Sequence, residues 1–224
     1  MTFRDRKDAG QKLAAQLVQF RNNPNVVVLG LPRGGVPVAA EAARALAAPL
    51  DVFVVRKLGV PQHEELAFGA IASGGVRVLD AAIVEELAIP DTALDAVIER
   101  EIKELDRREL VYRRAMPALD VKDRIVILVD DGIATGSSMR AGLEALRKLG
   151  PAKIVVAVPV ASPHAIRELS KLAGEIVCLS APEDFTAVGQ WYADFQSTTD
   201  EEVTAALESA ASRTTIHTGQ SRSA

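Results

Sequence analysis

Five consecutive apolar residues, Ile125, Val126, Ile127, Leu128 and Val129, end abruptly in two carboxylates, Asp130 and Asp131. A run this apolar and this β-branched predicts a strand covered on both faces, as in a parallel sheet. Gly132, Thr135, Gly136, Ser137 and Ser138 follow as a small-residue loop. A helical pattern comes next, with Leu143, Leu146 and Leu149 on one face, stopped by Gly150 and Pro151. Residues 124–150 are therefore a strand, a loop and a helix in that order, and the rest of the chain has to be compatible with that unit.

The chain repeats the alternation. A covering helix over residues 8–21 precedes a strand at 26–29, a helix at 36–47 and a strand at 50–55. A short strand at 76–79, a helical turn beginning at Asp80 or Ala81 and ending near Pro90, a strand at 153–160, a helix at 163–172 and a strand at 175–179 follow. This order predicts an α/β fold, a central parallel sheet with helices on both faces joined by right-handed crossovers. Residues 91–114 read as one long, heavily charged helix with a narrow apolar stripe, suited to covering the domain or to a homodimer contact. At 224 residues and 48% apolar content, one core is expected over residues 1–211, with a polar, disordered tail at 212–224.

Composition excludes several classes. No apolar run approaches the ~20 residues of a spanning helix, and MTFRDRKDAG lacks the apolar core of a signal peptide, so no membrane association and a cytoplasmic location are expected. The single cysteine, Cys178, permits no internal disulfide and reads as a core thiol. A formal net charge of −4 argues against general nucleic-acid binding.

The Gly, Ser and Thr loop at a helix start exposes backbone N–H groups, which is a phosphate site. Each hydrogen bond to a charged group contributes about 1.5–3 kcal/mol against about 0.3–1 for the helix dipole, so direct donors dominate. Asp130 and Asp131 accept only, which suits sugar hydroxyls or the water shell of Mg2+. There is no Walker A lysine and no G-x-S-x-G elbow. A second Gly-rich loop, GLPRGG, ends the strand at 26–29. Gly34 and Gly35 permit unusual backbone geometry there, and Arg33 supplies a charged fork for phosphate oxygens. Both loops fall on the carboxyl edge of one parallel sheet, where ligands of open α/β sheets bind.

The segment VILVDDGIATGSSM resembles the phosphoribosyl pyrophosphate signature of type I phosphoribosyltransferases. The resemblance implies that Asp130 and Asp131 hold the ribose hydroxyls, and that Ala134, Thr135, Gly136, Ser137 and Ser138 wrap the 5-phosphate. It further implies that Gly34 and Gly35 donate backbone N–H groups to the pyrophosphate beside Arg33. Any Mg2+ would then be bound by Asp130 and Asp131 mostly through substrate or water. The implied reaction transfers a phosphoribosyl group from phosphoribosyl pyrophosphate to a nitrogenous base, giving the product nucleotide and releasing pyrophosphate. Asp130, Asp131, Arg33 and Lys57 are its catalytic candidates.

Residues 56–75, with four glycines and a proline, read as a long loop opened by Arg56 and Lys57, the latter placed to reach a departing pyrophosphate. His63, Glu64 and Glu65 lack the further ligands of a metal site. In a chain only 4% aromatic, Phe185, Trp191, Tyr192 and Phe195 cluster near one another. In relatives a small hood, here residues 56–75 and 180–200, holds the base by stacking. Phe185, Trp191 or Tyr192 would do so, or would instead form an apolar plug at the end of the sheet. Two other readings stay open: a regulatory module that binds phosphoribosyl pyrophosphate or nucleotide without turnover, and an assembly protein built on the charged helix.

Overall fold

The computed structural model describes residues 1–114 and 119–220, with the backbone alone at 64, 65 and 214–220. Its centre is a five-stranded sheet of β1 (Val26–Gly30), β2 (Leu50–Val52), β6 (Ile125–Val129), β7 (Lys153–Val160) and β8 (Glu175–Ser180). The order is β2-β1-β6-β7-β8, and every pairing is parallel. The expected α/β class and the all-apolar central strands are thus observed together.

Strand residues alternate between two cores, as a period of two requires. Val26, Val28, Ile127, Val129, Val155 and Ala157 pack with Leu13 of α1 (Arg6–Ala15), Val38 of α2 (Gly35–Leu46) and Leu207 of α7 (Asp200–Gln220). Val27, Leu29, Val126, Leu128, Val156 and Val158 pack with Leu143 and Leu146 of α5 (Ser137–Lys148) and Leu169 of α6 (Pro163–Leu169). Each fully buried leucine contributes about 1.5–3 kcal/mol. Helices on both faces explain why no polar residue interrupts β1 or β6.

The pairing of β1 with β6, from Val26↔Ile125 to Gly30↔Val129, places the two candidate loops side by side. From β1 the chain moves through α2 to β2 on one flank. From β6 it moves through α5 to β7 on the other. The crevice between these diverging connections is the switch point of the sheet.

Residues 56–75 are not a loop. They form most of an antiparallel sheet of β3 (Val55–Val60), β4 (His63–Ala72) and β5 (Val76–Leu79). Their glycines misled because they serve close strand approach: a Cβ on Gly69 would lie 2.3 Å from the Val78 carbonyl oxygen. A register shift between Leu58 and Gly59 places Gly59 at a bulge, and Gly74 and Gly75, both at positive φ, turn the chain into β5.

The α3 helix (Ala81–Glu86) is capped by Asp80, whose side chain accepts from Ala82 N and Ile83 N. The long helix α4 (Asp91–Tyr112) buries Leu94, Val97, Ile98, Leu105 and Tyr112, whereas Ile102 is exposed. Glu101, one of the charged residues of this helix, is buried beside the antiparallel sheet. The last helix, α7, continues to Gln220, past the domain end expected at residue 211, since neither Gly nor Pro interrupts residues 200–218. The disorder expected for 212–224 therefore does not describe 212–220, and residues 221–224 lie outside the described residues.

Candidate functional site

Gly34 and Gly35 bring the two loops into contact. A Cβ on Gly34 would lie 2.0 Å from Asp131 Oδ2, and one on Gly35 would lie 2.7 Å from the Val129 carbonyl oxygen and 2.9 Å from Asp130 Cα. The φ of Gly34 is an ordinary −62°, so glycine is required here by space rather than by conformation. Gly35 N–H donates to the Leu31 carbonyl at 3.0 Å. That N–H is therefore used inside the turn, where Gly35 also serves as a spacer. The Pro32–Arg33 peptide is cis.

The phosphate-type loop is held from below. Ile133 N–H donates to Val160 O, Ser162 N–H donates to Ile133 O, and Ser162 Oγ donates to Ala134 O at 2.6 Å. The same Ser162 oxygen accepts from Ala165 N–H at 3.1 Å and so caps α6. Gly136 takes φ 81°, a left-handed geometry that favours glycine, and starts α5. Thr135 Oγ1 and Ser137 Oγ lie 3.1 Å apart. Thr135, Ser137 and Ser138 are exposed. A cavity of about 180 Å³ is lined by Asp130, by residues 132–139 and by Val188. Val188 sits directly on Gly132, where a Cβ would meet it at 2.4 Å. Val188 carries no sequence signal and Ser162 only that of a helix cap, since both act on the loop from other elements.

Asp130 and Asp131 are both half-buried at the end of β6. Burial pushes the Asp130 carboxyl well above its ordinary range, and the neighbouring Asp131 charge adds to the rise. Asp131 is also raised by burial, opposed by the Arg6 guanidinium. Asp131 N–H donates to Asp130 Oδ1 at 2.9 Å, and Arg6 Nε donates to Asp131 Oδ2 at 2.8 Å. Arg6 was not legible as a site residue, standing 125 positions from its partner. Among the described residues no group of three or more His, Cys, Asp or Glu side chains could hold a metal ion. Two carboxylates with one oxygen each already engaged fit a Mg2+ that keeps its waters and arrives with phosphate oxygens, not a cage built by protein.

The cations are placed unequally. Arg33 is exposed and close enough to Tyr112 to lower its pKa, while burial, first, and Asp200 push that phenol up to about 12. Lys57 lines a cleft of about 650 Å³ together with Thr135, Gly136, Ser137, Arg140 and His164. Arg56 points elsewhere: its Nε donates to buried Glu101 at 2.8 Å, and Glu101 also accepts from Arg100 at 3.0 Å. Burying a carboxylate demands such partners, so Arg56 ties β3 to α4 and is not grouped with the loops.

The aromatic segment is largely a plug. Tyr192 is buried, and its ring lies 5.4 Å from that of Phe3 and 5.0 Å from that of Phe195. Its hydroxyl donates to the Asp131 carbonyl at 2.5 Å. A base cannot stack on it there, so Tyr192 supports the acid pair from behind. Phe185 and Trp191, both half-buried, pack on the same Phe3 cluster. Tyr192→Phe is expected to lower stability by about 0.5–1.5 kcal/mol through loss of one hydrogen bond, read as a shifted urea midpoint.

The fold and the paired loops define a class, and the comparisons agree with it: the phosphoribosyl transferase domain model matches residues 3–196, and the chain belongs to this family. A Mycobacterium tuberculosis protein provisionally named a phosphoribosyl transferase, Rv0571c, is 49% identical over 208 residues, which are 93% of this chain and 47% of that protein. The chain thus spans about half the length of this curated relative. TT1426 from Thermus thermophilus, a solved structure, is 48% identical with a TM-score of 0.83, covering 92% of this chain and 98% of that one. The bifunctional protein PyrR of Deinococcus radiodurans is 32% identical over 145 residues, 62% of this chain and 76% of that protein.

Proposed function

We propose that the chain transfers the phosphoribosyl group of phosphoribosyl pyrophosphate to a nitrogenous base. The observation that carries this reading is the meeting of two loops at the switch point, one bearing an acid pair beside an open Thr-Gly-Ser-Ser helix start and the other bearing Arg33. The loop at 134–138 would take the 5-phosphate, and Asp130 and Asp131 the ribose hydroxyls. Arg33 and Lys57 would face the departing pyrophosphate. Mg2+, when bound with the substrate, would neutralise pyrophosphate charge. The bond from the anomeric carbon to pyrophosphate oxygen breaks, a bond to the acceptor nitrogen forms, and the acceptor proton is released.

Catalysis of this kind rests on positioning and on fixed charge, so no protein nucleophile is required. The match to the phosphoribosyl transferase domain and the name of the Mycobacterium tuberculosis relative support a ligand of this class without naming the acceptor. Titration of phosphoribosyl pyrophosphate into the protein by calorimetry, with Mg2+ and with a chelator, is expected to show Mg2+-dependent binding. Pyrophosphate release on adding an acceptor would establish turnover. Binding with no release for any base would leave the regulatory module, and no binding at all would refute the sugar-phosphate site.

A further inference from the structure

Arg6, in the first turn of α1, touches three segments at once. Its Nε donates to Asp131 Oδ2 at 2.8 Å, and its Nη1 donates to the Gln196 carbonyl at 2.6 Å. Its guanidinium carbon lies 4.0 Å from the centre of the Phe195 ring. The Gly34 backbone closes the junction, since a Cβ there would also come within 3.1 Å of Arg6 Nε. The side chains of Arg6 and Asp131 are only 13% and 14% exposed. A surface pair of this kind would contribute little, but a buried carboxylate beside a second carboxylate needs its cation. Arginine suits the place because a planar fork can serve two acceptors and a ring together.

We propose that Arg6 is a positioning residue for phosphoribosyl binding. It fixes the Asp131 carboxylate against the Gly34 loop and ties residues 195–196 to the same point. The inference rests on reading the crevice as a sugar-phosphate site. Asp131 Oδ2 is taken by Arg6, and Asp130 Oδ1 is taken by the Asp131 N–H. The two carboxylates lie against each other, so with Asp131 fixed by Arg6 the pair matches, as acceptors, the two vicinal hydroxyls of a ribose. Without Arg6 the Asp131 side chain is free to turn, and that match is lost.

The test is calorimetric titration of phosphoribosyl pyrophosphate with Mg2+ into the wild-type chain, Arg6→Gln and Arg6→Lys, alongside thermal melts. Arg6→Gln is expected to bind about tenfold or more weakly, as for loss of a charge-assisted contact acting through one carboxylate. Arg6→Lys, which keeps the charge but not the fork, should fall between the two. Wild-type affinity in a folded Arg6→Gln would overturn the proposal, because a purely structural anchor for α1 changes the melt and not the affinity. If Arg6→Gln does not fold, Arg6→Lys decides: several-fold weaker binding supports the role, and unchanged binding overturns it. Failure of the wild-type chain itself to bind would instead remove the functional reading on which the proposal stands, and the proposal with it.

Discussion

Gly35→Ala is expected to lose both stability and ligand. The added methyl would lie 2.7 Å from the Val129 carbonyl oxygen and 2.9 Å from Asp130 Cα. Both are main-chain atoms of a central strand end and cannot rotate away. Alanine in a helix normally gains about 0.5–1 kcal/mol over glycine, but overpacking costs about 1–3 kcal/mol, so the clash wins. The expected result is a lower urea midpoint and phosphoribosyl pyrophosphate binding weakened beyond detection by calorimetry. Gly34→Ala should separate the two effects. Its obstacle at 2.0 Å is the Asp131 carboxylate, a side chain that can yield by leaving Arg6, so affinity should collapse with a smaller change in midpoint. Equal stability losses in the two variants would contradict the packing described.

Asp130→Asn is expected to stabilise the fold while disabling the site. Asparagine keeps the Oδ1 acceptor for the Asp131 N–H and removes a buried charge that sits beside another. The sign follows from linkage. A carboxyl whose pKa is raised by folding destabilises the native state increasingly as pH climbs from the unfolded value through the folded one. The variant's advantage should therefore be greatest above that window and vanish in acid, where the wild-type carboxyl is protonated. For a chain of this size the melting temperature should rise about 2–4 °C for each kcal/mol relieved. Sugar-phosphate affinity should fall about ten- to a hundredfold with the lost charge-assisted hydrogen bond. Melts at pH 5 and pH 8 check it, and a variant less stable than wild type at pH 8 would refute the assignment of Asp130 as a strained, ligand-directed carboxylate.

How much could be read from the residues depended on how local the controlling physics was. The Ile125–Val129 run, the Gly136 turn and the Asp80 cap are set within a few positions, and their elements appear where expected. The antiparallel sheet was missed because Gly59 and Gly69 look like loop punctuation until the strand pairing shows a bulge at the first and a close approach to Val78 at the second. The site divided along the same line. Asp130, Asp131 and the 134–138 loop lie on one continuous motif. The cation that holds Asp131, the hydroxyl behind it and the valine over Gly132 come from residues 6, 192 and 188, which only the folded chain brings together. Arg56 and Lys57, adjacent in sequence, take different partners in the fold: Lys57 lines the large cleft, whereas Arg56 is held by Glu101 of α4.

The partnership of β1 with β6 also dictates the order in which this molecule can be made. Val26 faces Ile125, so almost a hundred residues must be synthesised before the first strand acquires its neighbour on that side. Until then β1 carries an unpaired edge of wholly apolar side chains, the kind of surface that invites association between chains. Pairing at that separation is also slow to form. The nascent chain consequently passes through a stage in which its most aggregation-prone segment waits for the very strand that will complete the crevice. Solubility during synthesis and the assembly of the ligand site are therefore settled by the same late event.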